Sequence, residues 1–192
     1  MEKDRLAAFS DGVIAIIITI MVLELHPPHD SSLAALLSLW PTFLSYTLSF
    51  IYVAIYWNNH HHMLHTVERV SGAILWANMH LLFWLSLVPF TTSWLNETDG
   101  GPWPAALYGA SLLAPALAYY LLQSVIVRAH GPDAMLARAI GADWKGRLSP
   151  LIYVAGIGAC FFDPRLGILA YMLVALIWLI PDRRIERALR GE

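Results

Sequence analysis

The sequence predicts an all-α integral membrane protein that crosses the bilayer with six helices. Of its 192 residues, 58% are hydrophobic and only 14% are charged, whereas a soluble domain usually carries about 25% charged residues. The apolar residues gather into six blocks. Once six crossings are drawn, the lysines and arginines fall almost entirely on one side of the membrane. We therefore expect a single transmembrane domain over residues 1–192.

The six blocks predict the individual helices, since a crossing needs ~20 apolar residues. Breaker-rich connectors separate them, including HPPHDSS, NETDGGPWP, AHGPD and FFDPR. Pro89 predicts a kink inside the third block, and the tight turn between the short fifth and sixth blocks predicts a helical hairpin. The expected helices cover approximately 4–25, 35–63, 70–95, 104–129, 147–162 and 164–181.

The cationic residues predict the orientation, because short cytoplasmic loops are enriched in lysine and arginine. Eleven of the twelve lie at the N-terminus, in the second and fourth connectors or in the C-terminal tail, and Arg165 alone lies on the other side. Both termini are therefore expected in the cytoplasm. The two outer connectors between helices one and two and between three and four carry carboxylates and no cation; the carboxylates are those of Glu24, Asp30, Glu97 and Asp99.

Charge and motif content exclude several classes of protein. The net charge of -2 argues against a nucleic-acid partner. The single cysteine, Cys160, excludes an intrachain disulfide framework and a cysteine-based zinc cluster. An enzyme is not expected, since the chain has no H-E-x-x-H, no G-x-S-x-G and no paired catalytic carboxylates. We expect no cofactor.

The first block reads RLAAFSDGVIAIIITIMVLEL over 5–25 and carries polar side chains that a plain membrane anchor does not need. At about 100° per residue, one helical face forms an aliphatic stripe that contains a single hydroxyl. Asp11 is rotated by about 140° from Ile16, and Ser10 by about 120° in the opposite sense. The residues on the stripe are Ile16, Thr19, Ile20 and Leu23.

Asp11 and Thr19 each allow two interpretations. A carboxylate inside a membrane helix needs a partner, so Asp11 either joins a salt-bridge cluster that pins helices together or forms a proton or ion site. The Thr19 hydroxyl either bonds the carbonyl four residues earlier or acts in function, which requires several copies converging on an axis. Glu24, at the predicted outer end of this helix, is expected to raise the local concentration of cations.

Histidines cluster where the second block ends, in YVAIYWNNHHHMLH. His61 and His65 stand four residues apart on one helical face, a spacing that can chelate a metal ion. No cysteine assists them and Glu68 is the nearest carboxylate. We therefore interpret the run as a wet membrane boundary with one buried hydrogen-bonding member, and expect no metal. Asn78 and His80, in the third block, predict interhelical hydrogen bonds.

Two long motifs carry a resemblance to a known family. R-x-x-x-F-S-D-G begins at Arg5, ends at Gly12 and runs into VIAIIIT, and SYTLSFIYVAIYWNNHHHML follows at 45–64. With residues 78–90, and more weakly with RLSPLIY at 147–153, these motifs resemble the transmembrane protein 175 family of potassium channels. The resemblance covers most of the first 92 residues.

The resemblance implies a potassium-selective channel without a carbonyl-lined filter, and no T-V-G-Y-G occurs in the chain. Members with one six-helix unit are similar to prokaryotic homotetramers of the cell membrane. In these the first helix lines a central pore that passes K⁺ and, more weakly, other monovalent cations. The implied constriction consists of Ile16, Thr19 or Ile20, and Leu23. Whether Thr19 or Ile20 faces the pore stays open.

The resemblance also implies a polar network that holds the first helix against its neighbours. Its members are Arg5, Ser10, Asp11, Trp57 and His60. The position of His60 is taken from its spacing to Trp57, since three consecutive histidines follow Asn59.

The alternative function is a proton- or cation-coupled secondary transporter that uses Asp11 and His60. Transporters often show repeated halves and broken helices at matching positions, and neither is evident in the sequence.

Overall fold

The computed structural model describes residues 2–131, 136 and 143–179, and within these ranges the chain forms α-helices and no strand. The helices are α1 (Lys3–Leu23), α2 (Leu33–Ser38), α3 (Trp40–His65), α4 (Gly72–Leu85), α5 (Val88–Glu97), α6 (Pro102–His130), α7 (Trp144–Ala159) and α8 (Pro164–Leu179).

The structure divides two of the expected helices, and a proline explains each division. The expected helix 35–63 is α2 followed by α3, and Pro41 lies in the first turn of α3. The expected helix 70–95 is α4 followed by α5, and Pro89 lies in the first turn of α5. Because proline has no N–H to donate to the carbonyl four residues earlier, the helical ladder is interrupted there.

The remaining helices follow the expected blocks with shifted ends. α6 continues through Pro115 to His130. α7 starts before the expected position 147 because the carboxylate of Asp143 caps it, accepting a hydrogen bond from the backbone N–H of Gly146 at 3.1 Å. α7 and α8 pack against each other as a hairpin with a short turn at 160–163. The expected end of the last helix, at 181, lies outside the described residues.

Three stretches in the described part of the chain are long and apolar enough to cross a membrane. They are Lys3–Leu23, Gly72–Glu97 and Pro102–His130. α8 is apolar but shorter. α3 has 26 residues, but its last third is rich in asparagine and histidine, which lowers its hydropathy. The fold is therefore that of an all-α protein with apolar spans suited to a bilayer.

The interior consists of two hydrophobic clusters that share α3, α5 and α6. The first cluster packs α1 and α4 against them, and the second packs α7 and α8. α1 contributes buried residues only to the first cluster. This division leaves α1 at the edge of the molecule, while α3 and α6 form its centre.

Glycines allow the closest helix packing, between α6, α7 and α8. A Cβ on Gly109 would overlap the hydroxyl of Tyr171, and one on Gly156 would lie 2.8 Å from the ring of Tyr171 and 3.0 Å from Ala170. A Cβ on Gly167 would overlap the sulfur of Cys160. Small residues let membrane helices approach closely where dispersion contacts drive association, and here they make room for the buried Tyr171 ring.

Candidate functional site

α1 is attached to the rest of the chain by one face only. Its buried side chains recur every three or four residues, as expected for one helical face; they are Leu6, Ser10, Ile14, Ile17 and Met21. Of the most apolar stretch of α1, 28% is buried, against 44% for the α4–α5 span and 39% for α6. α1 is thus the least enclosed of the three long apolar spans.

The predicted stripe lies on the exposed face of α1, where the described part of the chain packs nothing against it. The side chain of Ile16 is 58% exposed and that of Leu23 is 74% exposed, and Thr19 and Ile20 are exposed as well. Ile16 and Leu23 are separated by about 10 Å along the axis, at ~1.5 Å per residue. The stripe therefore presents two aliphatic levels, with Thr19 and Ile20 between them, to whatever lies beside the single chain.

Thr19 makes the local hydrogen bond that threonine commonly makes in membrane helices. Its hydroxyl donates to the carbonyl oxygen of Ile16, three residues earlier, at 2.8 Å. This bond uses the only hydroxyl proton, and both oxygen lone pairs stay available. Because the hydroxyl proton points back into the helix, the exposed oxygen can coordinate a cation.

A buried hydrogen-bond chain ties α1 to α4 and α3. The Ser10 hydroxyl donates to the Leu6 carbonyl at 2.9 Å, and the Asn78 amide N–H donates to the Ser10 oxygen at 3.0 Å. The Asn78 oxygen lies 2.6 Å from Nε2 of His60. Because Asn78 already donates to Ser10, its oxygen is the acceptor and His60 Nε2 is the donor. Ser10, His60 and Asn78 are all buried, so the whole hydrogen-bond chain is shielded from solvent.

Asp11 has an indole as its partner. Nε1 of Trp57 donates to Oδ1 of Asp11 at 2.9 Å. This hydrogen bond joins α1 to α3 independently of the Ser10–Asn78–His60 chain. The exposed Arg5 takes part in neither attachment among the bonds formed by the described residues. The structure thus brings together four of the five residues expected in the network, in two separate groups.

Asn78 is the member of the network that the resemblance did not supply. It links Ser10 and His60 by a hydrogen bond to each of them. Its position in the apolar run ILWANMHLL was a usable signal, because a lone amide among leucines needs a partner. Its partners could not be read from spacing, since Ser10 lies 68 residues away along the chain.

Glu24 is held at the far end of α1 from Arg5. It is exposed, and its Oε2 accepts a hydrogen bond from the Ser93 hydroxyl of α5 at 2.8 Å. The same hydroxyl lies 3.3 Å from Oε1 of Glu97, which places two carboxylates around one serine. The arrangement concentrates negative charge where α1 ends, on the side expected to face outward.

The chain matches a family of channels and is similar to individual members of that family. The family described as the endosomal/lysosomal potassium channel TMEM175 matches residues 5–89. A potassium channel of Chryseobacterium sp. (strain P1-3) is 55% identical over 190 residues, which cover 99% of both chains. One of Streptomyces collinus is 33% identical over 190 residues, covering 92% of this chain and 91% of its own.

A solved structure has the same fold. The crystal structure of a lysosomal potassium-selective channel TMEM175 homolog from Chamaesiphon minutus superposes with a TM-score of 0.80 at 29% identity. The superposition covers 94% of this chain and 98% of that one. The likeness therefore extends beyond the N-terminal motifs to the helices that follow residue 92.

Proposed function

Because this chain belongs to the TMEM175 family of potassium channels, we propose that it is a potassium channel whose ion path runs along the exposed stripe of α1. It is a multi-pass membrane protein, and channels of this family are not enzymes. One helix cannot enclose a path, so the proposal includes a homotetramer in which four α1 helices meet on an axis. Its bacterial relatives favour a prokaryotic cell membrane as its location.

The observation that carries the proposal is the one-sided attachment of α1. Its polar and buried groups hold it to α3 and α4, and the opposite face carries Ile16, Thr19 and Leu23, which the described residues leave exposed. An aliphatic face that served only lipid would not need a hydroxyl in its centre. A face that meets three copies of itself around an axis would use both the aliphatic side chains and the hydroxyl.

Selection of potassium is proposed to rest on dehydration at hydrophobic collars. Four copies of Ile16 and four of Leu23 form two narrow apolar rings, which pass ions when slightly dilated and exclude water when narrow. Potassium holds its water less tightly than sodium does, so a passage that strips water disfavours sodium more. The Thr19 oxygens, between the rings, would replace part of the water that potassium loses.

The alternative, a coupled transporter that uses Asp11 and His60, finds little support in the two attachments. A proton relay needs groups that both accept and release protons along a chain. The His60 chain passes through the amide of Asn78 and ends on the Leu6 carbonyl, and Asp11 accepts from an indole that only donates. Both groups are therefore better suited to holding α1 in place.

The test is potassium flux into liposomes that contain the purified protein, with Ile16→Asn as the main variant. A polar ring wets more easily, so we expect Ile16→Asn to raise flux several-fold and to weaken discrimination against sodium. Val22→Asn is the matched control, because Val22 is exposed on the same helix but is rotated by about 120° from Ile16. Unchanged flux in Ile16→Asn, in a variant that assembles like wild type, would remove this stripe from the ion path.

A further inference from the structure

The last two turns of α3 carry a row of aromatic rings that the proposed ion path does not use. Trp57, His61 and His65 follow one another at intervals of four residues on one face of the helix. The ring centres of Trp57 and His61 are 5.8 Å apart, and those of His61 and His65 are 4.4 Å apart. His65 is exposed and His61 is half-buried, so the row is open to solvent at its end.

The two histidines direct the same nitrogen atoms toward each other. Nε2 of His61 lies 3.1 Å from Nε2 of His65. For an ion bound to both nitrogens at the usual zinc–imidazole distance of ~2.05 Å, the N–metal–N angle would be about 98°. This value lies between the octahedral and tetrahedral angles, so the separation of the two nitrogens already suits a shared ion.

We propose that His61 and His65 form a two-histidine binding site for a transition-metal dication such as Ni²⁺ or Zn²⁺ at the predicted cytoplasmic end of α3. Imidazole nitrogen favours these ions over Mg²⁺ and Ca²⁺, which prefer oxygen ligands. Without metal, the same separation suits an N–H···N hydrogen bond, in which the donating ring carries its proton on Nε2. When the ion binds, that proton moves through solvent to Nδ1 of the same ring, so both rings stay neutral and both Nε2 atoms can coordinate.

The surroundings indicate a site of modest affinity. No group of three or more histidine, cysteine or acidic side chains in the described part of the chain is arranged to hold a metal ion, so water fills the other coordination positions. Lys3 adds a positive charge nearby, since its Nζ lies 3.4 Å from the carbonyl oxygen of His65. Both features lower affinity without blocking the two nitrogens.

The site is connected to the pore helix through Trp57. The Trp57 ring packs on His61, and its indole N–H donates to Asp11 of α1. An ion that fixes the His61 ring therefore restricts the group that positions α1. This second part of the inference rests on the proposed function, because it predicts that the metal alters flux through a path lined by α1.

The first experiment measures binding of Ni²⁺ by calorimetry to the full chain in detergent, after removal of any affinity tag. We expect one ion per chain, and at least a tenfold loss of affinity in His61→Ala and in His65→Ala. Mg²⁺ should not bind. Two matched controls, His62→Ala beside the pair and His80→Ala on α4, should retain wild-type affinity.

Two results would overturn the site. One is the absence of Ni²⁺ binding to the wild type, and the other is unchanged binding in a His61→Ala/His65→Ala double variant that still elutes as an intact assembly. Because calorimetry does not depend on conduction, either result would leave the proposed channel function untouched.

The second experiment measures potassium flux with and without Ni²⁺ on the same samples. We expect Ni²⁺ to change wild-type flux and to have no effect on His65→Ala. Binding without any change in flux would reject the connection through Trp57 while leaving the metal site in place. Loss of all flux in every sample, including those without metal, would instead contradict the channel function.

Discussion

The hydroxyl of Thr19 is the only polar group on the exposed stripe of α1, and its setting defines what it can contribute. Its proton is held by the Ile16 carbonyl, so only oxygen lone pairs face outward. The sequence left open a local bond to the carbonyl four residues earlier or a functional role. The bond forms with the carbonyl three residues earlier instead, and it is compatible with the functional role. The first orients the oxygen that the second would use.

Removing this oxygen should weaken selection without closing the path. Thr19→Val keeps the shape of the side chain, and we expect it to lower the potassium-to-sodium permeability ratio by about threefold to tenfold, as for a loss of roughly 1 kcal/mol. Thr19→Ser keeps the oxygen and should stay close to wild type. Reversal potentials under a potassium–sodium gradient measure both variants. Equal ratios in all three proteins would assign Thr19 a purely structural role.

Residue-level prediction succeeded where the partner was implied by chemistry and stopped where it depended on packing. That Asp11 needs a partner follows from the cost of a charge in lipid, but the partner is an indole, and a search for cations would miss it. Arg5 was expected in the same network as Asp11, and among the bonds formed by the described residues it takes no part in that network. Asn78 was recognised as a hydrogen-bonding residue, but its bridging position requires knowing how α4 lies against α1.

At the scale of elements, prolines and glycines determine how the helices differ from the apolar blocks. The kink expected at Pro89 is a two-residue interruption between α4 and α5, where the Leu87 N–H bonds the Trp84 carbonyl at 3.2 Å. Pro41 was not singled out, although it acts in the same way. Apolar periodicity locates a span but does not reveal an interruption at a proline, because hydropathy depends on the polarity of side chains and not on backbone geometry.

The close packing of α7 on α8 provides a prediction with a control in the same helix. Gly156→Ala adds a methyl group within 3.0 Å of two side chains, so we expect a loss of about 1–3 kcal/mol in the free energy of unfolding. At Gly158 nothing lies within 4 Å of an added Cβ, and Gly158→Ala should be neutral or stabilising by roughly 0.5–1 kcal/mol. Thermal unfolding followed by size-exclusion chromatography compares them. Similar midpoints for the two variants would show that α7 can shift to accommodate the methyl group.

At the scale of the whole molecule, the sequence predicts the class of protein better than its assembly. Composition and charge distribution indicated a helical membrane protein, and the comparisons confirm the family and the potassium channel. The number of copies is not a property that a single chain displays. The exposed stripe on α1 implies neighbouring copies of the chain. Which stripe residues face those copies depends on helix rotations of a few tens of degrees, and residue spacing does not determine such rotations. The homotetramer and the six crossings therefore stay predictions.

Glu24 allows a test of the assembled pore entrance. Carboxylates repeated around an axis attract cations, and salt screens this attraction, with a Debye length of roughly 30 Å at 0.01 M and about 8 Å at 0.15 M. We expect Glu24→Gln, which keeps an acceptor for Ser93, to lower potassium flux at low salt and to have little effect at physiological salt. Glu68→Gln is the matched control, because Glu68 is an exposed carboxylate that follows the C-terminal end of α3, on the predicted cytoplasmic side. A reduction that is equal at both salt concentrations would rule out an electrostatic role for Glu24.

The two attachments of α1 also bear on the order in which the protein is made. Asp11 precedes Trp57 by 46 residues, and Ser10 precedes Asn78 by 68. At about 5–20 residues per second, the first helix leaves the ribosome roughly 2–14 s before either tether exists. Until these segments are made, neither hydrogen bond can hold α1, so it acquires a fixed rotation only when they arrive. A nascent chain stopped before residue 57 would hold an inserted but unanchored first helix, so cross-linking of stalled intermediates should find its orientation unset until Asn78 has emerged.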